Sequence, residues 1–382
     1  MKDYVLIGAD IVPTQRNADL FINGDIEKLF GDELINLIKS ASYRIFNLEV
    51  PLCDCDSPII KCGPNLRAPS NTINGYKAIG TDLLTLGNNH ILDHGNMGLE
   101  STISTLTNAG IDFVGAGKNI TDASRPYIFI FNEKKVGVYA CSETEFSIAT
   151  NTSSGANPFD PLDSIDHIVM LKKECDYLIV LYHGGKEQYR YPSPQLQKKC
   201  RKMILKGADL VVCQHSHCVG CEEKYNNGTI VYGQGNFLFD RNDNEYWKTG
   251  LLILIDSDYN IIYQPVIKEQ EHVRLMNKND SVQLLNDFYE RSKKILDEKF
   301  VEQEYNDFSL HAIDEYLMFL GGRYKFFARV LNKLSKGKSM KWIIKSHYRT
   351  NNYLAALNFI ECEAHRELLI RGLKERIKNV DK

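Results

Sequence analysis

Leu86-Gly87-Asn88-Asn89-His90-Ile91-Leu92-Asp93-His94-Gly95 sets two amides, two imidazoles and a carboxylate between an apolar run and the start of a helix. Residues 82–86, DLLTL, read as a short buried strand, and residues 98–110, GLESTISTLTNAG, have helical spacing and close on a glycine. A strand, a polar loop and a helix in that order put the loop's side chains at the carboxyl end of a sheet, where open α/β folds bind ligands. The loop is therefore a site candidate, and other strands of the same kind would end beside it.

Apolar runs at residues 4–7, 43–48, 82–86, 136–140, 177–182 and 210–213, bounded by Gly, Asn or Asp, predict buried strands. Helices are expected over residues 26–40, 98–108, 164–173 and 194–206. Beyond residue 210 the strands crowd together, at 230–232, 237–239, 251–255 and 261–266. Such spacing predicts antiparallel hairpins, one of them turned by Asp256-Ser257-Asp258. From about residue 270 amphipathic helical patterns take over. Tyr353, Leu357, Ile360, Ala364 and Leu368 fall on one face of a helix capped near Thr350 or Asn351, and Gly321-Gly322 ends an earlier helix. The expected organisation is an α/β domain over residues 1–268, with a mixed sheet or a pair of sheets, followed by a helical appendage over residues 269–382.

A chain of 382 residues with 43% hydrophobic and 25% charged residues has the composition of an ordinary globular protein. Its formal net charge of -3 names no partner. The N-terminal MKDYVLIGAD carries an apolar run too short for a signal sequence or a membrane span. This start and ten cysteines without an export signal point to the cytoplasm, with the thiols reduced. One stretch breaks the charge balance. Residues 321–350 hold nine Lys or Arg and no acidic residue, interleaved with Tyr324, Phe326, Phe327, Trp342 and Tyr348. Such a stretch suits an anionic membrane surface or an acidic polymer better than nucleic acid, and it would make the protein peripheral to the membrane. The plain alternative is a solvated basic helix face.

Polar clusters follow the apolar runs: Gly8-Ala9-Asp10, Asn47-Leu48-Glu49, Asn88-Asn89-His90, His183-Gly184-Gly185-Lys186-Glu187 and Gln214-His215-Ser216-His217. Taken singly, each carboxylate reads as a cap and each imidazole as a satisfied core histidine. Taken together at strand ends they are hard to explain by packing, because every buried polar group needs a partner. Carboxylate, imidazole and amide oxygen in one place suit Mn, Fe, Zn or Mg. Cysteine offers a competing structural zinc site from Cys213, Cys218 and Cys221 or from Cys53, Cys55 and Cys62, although neither set has finger spacing.

The order of Asp10, Asn47-Leu48-Glu49, Asn88-Asn89-His90 with Asp93 and Gly95, His183 with Glu187, His215 with His217, and Gly235-Asn236-Phe237 with Asp240 resembles the CapA family of poly-γ-glutamate capsule synthesis. That family is related to the calcineurin-like metallophosphoesterases. The resemblance covers about residues 1–265 and includes Gly98-Leu99, Gly115-Ala116-Gly117 and residues 61–69. It implies a four-layer α-β-β-α sandwich and a site for two divalent metal ions. By the same resemblance Asp10 and His217 hold the first ion, Glu49 bridges, and Asn89, His183 and His215 hold the second. His90 would be the acid for the leaving group, with Asp93 and Glu187 orienting imidazoles. Lys61 and Arg67 are placed to grip an anionic substrate, and Asn88 and Asn236 are further substrate-binding candidates.

The chain departs from the phosphoesterase pattern in having Val12 where a histidine is usual and Glu49 where an aspartate bridges. Gln214-His215-Ser216-His217 replaces a Gly-His-His-Pro-His pattern, and no tryptophan follows His183-Gly184-Gly185. The resemblance implies a metal-dependent, phosphoesterase-like hydrolase acting on an anionic capsule or surface-polymer intermediate through a metal-bound hydroxide. The alternative it leaves is a non-catalytic accessory protein of capsule or poly-γ-glutamate synthesis that binds acidic polymer or a membrane synthase.

Overall fold

A computed structural model of the chain describes residues 3–239, 244–320 and 350–378, together with residues 330, 332–335, 338, 339, 342 and 344. The first expected strand is longer than its apolar run: β1 spans Tyr4–Val12, nine residues buried throughout. It lies in an eight-stranded sheet with β2 (Tyr43–Leu48), β3 (Leu83–Thr85), β4 (Asp112–Val114), β13 (Asn236–Phe239), β14 (Thr249–Asp256), β15 (Ile261–Glu269) and β16 (His272–Leu275), in the order β16-β15-β14-β1-β2-β3-β4 with β13 also on β1. A six-stranded sheet runs β11-β12-β10-β9-β7-β6, from β6 (Tyr127–Phe131), β7 (Lys134–Ser142), β9 (Tyr177–His183), β10 (Leu210–Gln214), β11 (Val219–Tyr225) and β12 (Gly228–Gln234). A small pair, β5 (Ala116–Gly117) and β8 (Gly155–Ala156), stands apart.

The strands read as unbroken apolar runs because both of their faces are buried. Side chains alternate across a strand. Val5 and Ile7 of β1 and Ile179 and Leu181 of β9 therefore meet in a core between the sheets. Tyr4 and Leu6 face outward onto Phe21, Leu29, Leu34 and Ile38. Leu178 and Val180 do the same on the opposite side against Ile168, Leu196, Cys200 and Met203. Three cores with helices outside both sheets make the four-layer α-β-β-α sandwich that the resemblance implies. Each fully buried aliphatic side chain contributes roughly 1.5–3 kcal/mol to holding the layers together.

Several expected elements change form. Residues 26–40 make two helices, Ile26–Phe30 and Asp32–Lys39, because Gly31 between them has φ 70° and a Cβ there would strike the Arg274 side chain. The expected hairpin at residues 256–258 forms, since β14 and β15 pair antiparallel. Residues 237–239 do not turn back as a hairpin: β13 leaves the second sheet at Gly235 and pairs parallel to β1, with Asn236 opposite Asp10. Gly235 has φ 77°, and any side chain there would meet the carbonyl oxygen of Thr249.

Contacts divide the chain into Met1–Glu302 and Gln303–Lys382. The helix Lys278–Lys294 lies in the first unit, where Phe288 enters the inter-sheet core. The expected helical appendage over residues 269–382 therefore opens on strand, since β16 (His272–Leu275) completes the first sheet, and helices begin only at Lys278. The expected single helix carrying Tyr353 to Leu368 is two, Thr350–Glu361 and Glu363–Lys378. An earlier helix is described over Glu298–Leu320, and Gly321 and Gly322, expected to end a helix, lie outside the described residues. Among the described residues no helix is long and apolar enough to cross a membrane.

Candidate metal centre

Strands β1, β2 and β3 run parallel, as do β9 and β10, so each set ends on one edge of its sheet. Asp10 lies on β1 at a register shift between Ile7 and Asp10, a local bulge that re-aims its carboxylate. Glu49 follows β2, Asn89 follows β3, His183 ends β9, and His215 and His217 follow β10. Asp10, Glu49 and Asn89 thus come from the first sheet, and the three imidazoles from the second. His215 and His217 have φ values of 81° and 53°, a left-handed backbone that non-glycine residues rarely adopt and that recurs at functional sites.

All six side chains are buried and close together. His183 Nε2 lies 3.1 Å from Asn89 Oδ1, 3.2 Å from Glu49 Oε1 and 3.2 Å from His215 Nδ1. His217 Nδ1 lies 2.9 Å from Asn236 Oδ1 and 3.6 Å from Asp10 Oδ2, with its ring stacked at 4.1 Å on Trp247. The bond to Asn236 calls for the proton on Nδ1 and so puts the imidazole lone pair on Nε2. Ligand atoms of Glu49, His215 and His217 fall within 4.8 Å of one another, which is the reach of a metal ion. Asn47, opposite Asp10 on β2, donates to Asp10 Oδ1 at 2.7 Å and sits 3.3 Å from His183 Nδ1.

Burial leaves these groups electrically incomplete. Both oxygens of Glu49 and Oδ2 of Asp10 are buried without a hydrogen-bond partner, a costly state for a carboxylate. Burial, and then the neighbouring charge of Glu49, pushes the Asp10 carboxyl well above its ordinary range. Burial likewise raises Glu49, to about 7, against an opposing pull from His90. Burial lowers His183, and lowers His215 further still with help from its imidazole neighbours. Neutral imidazoles with lone pairs to give, and carboxylates short of a counter-charge, are what a divalent cation needs. The residues fit such an ion.

The other predicted residues divide. His90 Nδ1 lies 2.6 Å from Asp93 Oδ2, so the two expected partners are paired, and the charge of His90 reaches Glu49 and His215. Lys61, expected to grip an anionic substrate, has its ammonium paired with Asp93, and the two side chains are 3% and 0% exposed. Arg67 is exposed and donates to the carbonyl of Cys55 at 2.9 Å, bracing its own loop. Asn88, expected among the substrate-binding residues, is buried and bonded to Leu48 O at 2.8 Å and Asn47 Oδ1 at 3.2 Å. Asn236 faces His217 and holds it. Glu187 is exposed, and among the described residues it makes no hydrogen bond to an imidazole, acting on His183 through charge alone. Asp240 lies outside the described residues.

The cysteine alternative does not assemble. All ten thiols are free, and among the described residues no group of converging metal-type donors includes a cysteine. One group was overlooked at the level of sequence: Glu143 and Glu145 converge with His215 within 4.8 Å. The signal was there, because Ser142-Glu143-Thr144-Glu145 is a polar cluster directly after the apolar run 136–140.

A profile of the family described as "Bacterial capsule synthesis protein PGA_cap" matches residues 5–241. The "Capsule biosynthesis protein CapA" of Bacillus anthracis is 31% identical over 213 residues, 53% of this chain and 52% of that protein. The "PGA biosynthesis protein CapA" of Bacillus subtilis (strain 168) is 30% identical over 184 residues, 46% of this chain and 47% of that protein. A "Probable polyglutamine synthesis accessory protein" of Mycobacterium tuberculosis (strain ATCC 25618 / H37Rv) is 26% identical over 187 residues, 46% of this chain and 49% of that protein. The chain spans about half the length of the curated relatives it matches. Among solved structures, a putative 5'-nucleotidase from Staphylococcus aureus in complex with α-ketoglutarate aligns at a TM-score of 0.43 and 15% identity, over 75% of this chain and 58% of that one. Likeness at that level bears on neither activity nor substrate.

Proposed function

Because the chain belongs to the bacterial capsule-synthesis family PGA_cap, we propose that its first unit is a divalent-metal-dependent, phosphoesterase-like hydrolase acting on an anionic capsule or surface-polymer intermediate. The observation that carries this reading is the convergence of three buried imidazoles and an amide on carboxylate oxygens that have no hydrogen-bond partner. Asp10 and His217 would hold one ion and Asn89, His183 and His215 a second, with Glu49 between them. Ions bound there supply Lewis-acid polarisation and an activated water. His90, with Nδ1–H held by Asp93, would present Nε2 to a departing oxygen and, in its imidazolium form, give up the Nε2 proton to it, returning to the neutral ring with Nδ1–H still on Asp93. Lys61 balances the Asp93 charge, so that Asp93 orients His90 without having to be neutralised by it.

The test is metal analysis of the purified full chain loaded with Mn, Fe, Zn or Mg, followed by turnover of chromogenic phosphomonoesters and phosphodiesters. His90→Ala is expected to lower turnover about 10²–10⁴-fold with metal content unchanged. Equal turnover in wild type and variant would remove the mechanism. Tight metal binding with no turnover on any phosphoester would favour a second reading, a non-catalytic accessory that binds acidic polymer; the mycobacterial relative is named an accessory protein.

The basic stretch, most of which lies outside the described residues, we assign to an anionic membrane surface. The full chain should sediment with phosphatidylserine vesicles at low ionic strength and be released by salt, since each Lys or Arg near such a surface contributes about 1 kcal/mol. Failure to sediment at low salt would remove the assignment.

A further inference from the structure

Glu143 stands directly after β7, and its main chain is tied to the strand that carries His183: its N–H donates to His183 O at 3.0 Å. Its carboxylate accepts from Gly185 N at 3.4 Å through Oε2, while Oε1 lies 3.6 Å from His215 Nε2. The second distance is an electrostatic contact just beyond hydrogen-bond length. The other nitrogen of the same ring, His215 Nδ1, lies 3.2 Å from His183 Nε2. The imidazole therefore spans two environments, with Nδ1 among the ligand atoms and Nε2 against a carboxylate.

A neutral imidazole carries one proton, and the group beside one nitrogen decides where it rests. A carboxylate at Nε2 holds the proton there and leaves the lone pair on Nδ1, facing the centre. Asn236 does the mirror-image job for His217, fixing the proton on Nδ1. His215 needs such a hold because its backbone lies in a sparsely populated region, φ 81°. Resting on the metal-centre reading above, we propose that Glu143 is the positioning residue that fixes the tautomer and aim of His215 and so sets the affinity of the ion held by Asn89, His183 and His215.

The experiment is calorimetric titration of the metal-free full chain with Mn²⁺, for wild type, Glu143→Ala and Glu143→Gln. Partners of ligating histidines typically carry a factor of about 10–100 in metal affinity, so Glu143→Ala should weaken one class of site by that factor and leave the other unchanged. Glu143→Gln keeps an acceptor oxygen and should fall between wild type and alanine, which also covers the case that the alanine variant folds poorly. In a His215→Ala background the further change Glu143→Ala should cost nothing, because the only route by which Glu143 acts has gone. Wild-type affinity in Glu143→Ala, or an undiminished loss in the His215→Ala background, overturns the proposal. Wild-type protein that takes up no divalent ion overturns the metal-centre reading itself, and this proposal with it.

Discussion

Glu49→Gln is expected to abolish the stabilisation that divalent metal gives and, at the same time, to make the metal-free protein more stable above pH 7. Its carboxyl is fully buried and raised from 4.5 to about 7, chiefly by burial. A carboxyl whose folded value lies above its unfolded value favours the fold at low pH. That contribution is complete below about 4.5 and is lost as pH climbs to about 7. At about 1.4 kcal/mol per pKa unit, the ionised Glu49 costs the metal-free fold about 3 kcal/mol at pH 8.

Glutamine keeps the shape and carries no charge, so the loss between pH 5 and pH 8 should shrink. The remaining slope comes from Asp10, whose own upward displacement also eases once the Glu49 charge has gone. In wild type, metal at about 100 times its Kd returns about 2.7 kcal/mol, and the variant should gain little of it. Urea denaturation at pH 5.5 and pH 8, with chelator and with Mn²⁺, checks both halves. A variant less stable than wild type at pH 8 in chelator, or one that metal stabilises as much as wild type, contradicts the account.

Asp93→Ala should be the more damaging change to the fold. Asp93 Oδ2 serves His90 Nδ1 and Leu66 N, each at 2.6 Å, and the same carboxylate pairs with Lys61. Removing it strands an ammonium that is 3% exposed, and breaking such a buried pair costs about 3–5 kcal/mol. It also frees the His90 ring, so turnover should fall toward that of His90→Ala. The double variant Asp93→Ala with Lys61→Met separates the two effects. It removes the stranded charge and should recover most of the stability with none of the turnover. Recovery of both, or of neither, would show that Asp93 does not hold His90 in the way the geometry indicates.

The donor set was legible because buried strands announce themselves. Residues 4–7, 43–48, 82–86, 177–182 and 210–213 are largely apolar, so the polar cluster after each marks an exit from the core, and Asp10, Glu49, Asn89, His183 and His215 lie near those exits. Strands outside that condition were harder to see. β6 lies at the edge of its sheet with Ile130 64% exposed, and β11 alternates buried residues with Glu222 and Lys224. Aim was not legible at all. Lys61 has the residue type and the position to grip a substrate, and the chain folds it onto Asp93 instead. Spacing cannot tell a buried counter-charge from a bound anion. Glu143 was missed for a different reason: its polar cluster had the right signature, but it carries no imidazole or amide of the kind that drew attention elsewhere.

The passage of the chain from β12 to β13 at Gly235 has a mechanical consequence. Asn236, which holds His217, sits on a strand hydrogen-bonded to β1 beside Asp10, while His217 itself belongs to the loops of the opposite sheet. With three donors from each sheet, the centre is a rivet through two plates, and the covalent crossing beside it keeps the rivet holes in line. Any sliding of one plate over the other moves the carboxylates away from the imidazoles. Loosening the sandwich would thus pull the donors apart, and the affinity of the centre for an ion would depend as much on the stiffness of the two plates as on the atoms that touch it.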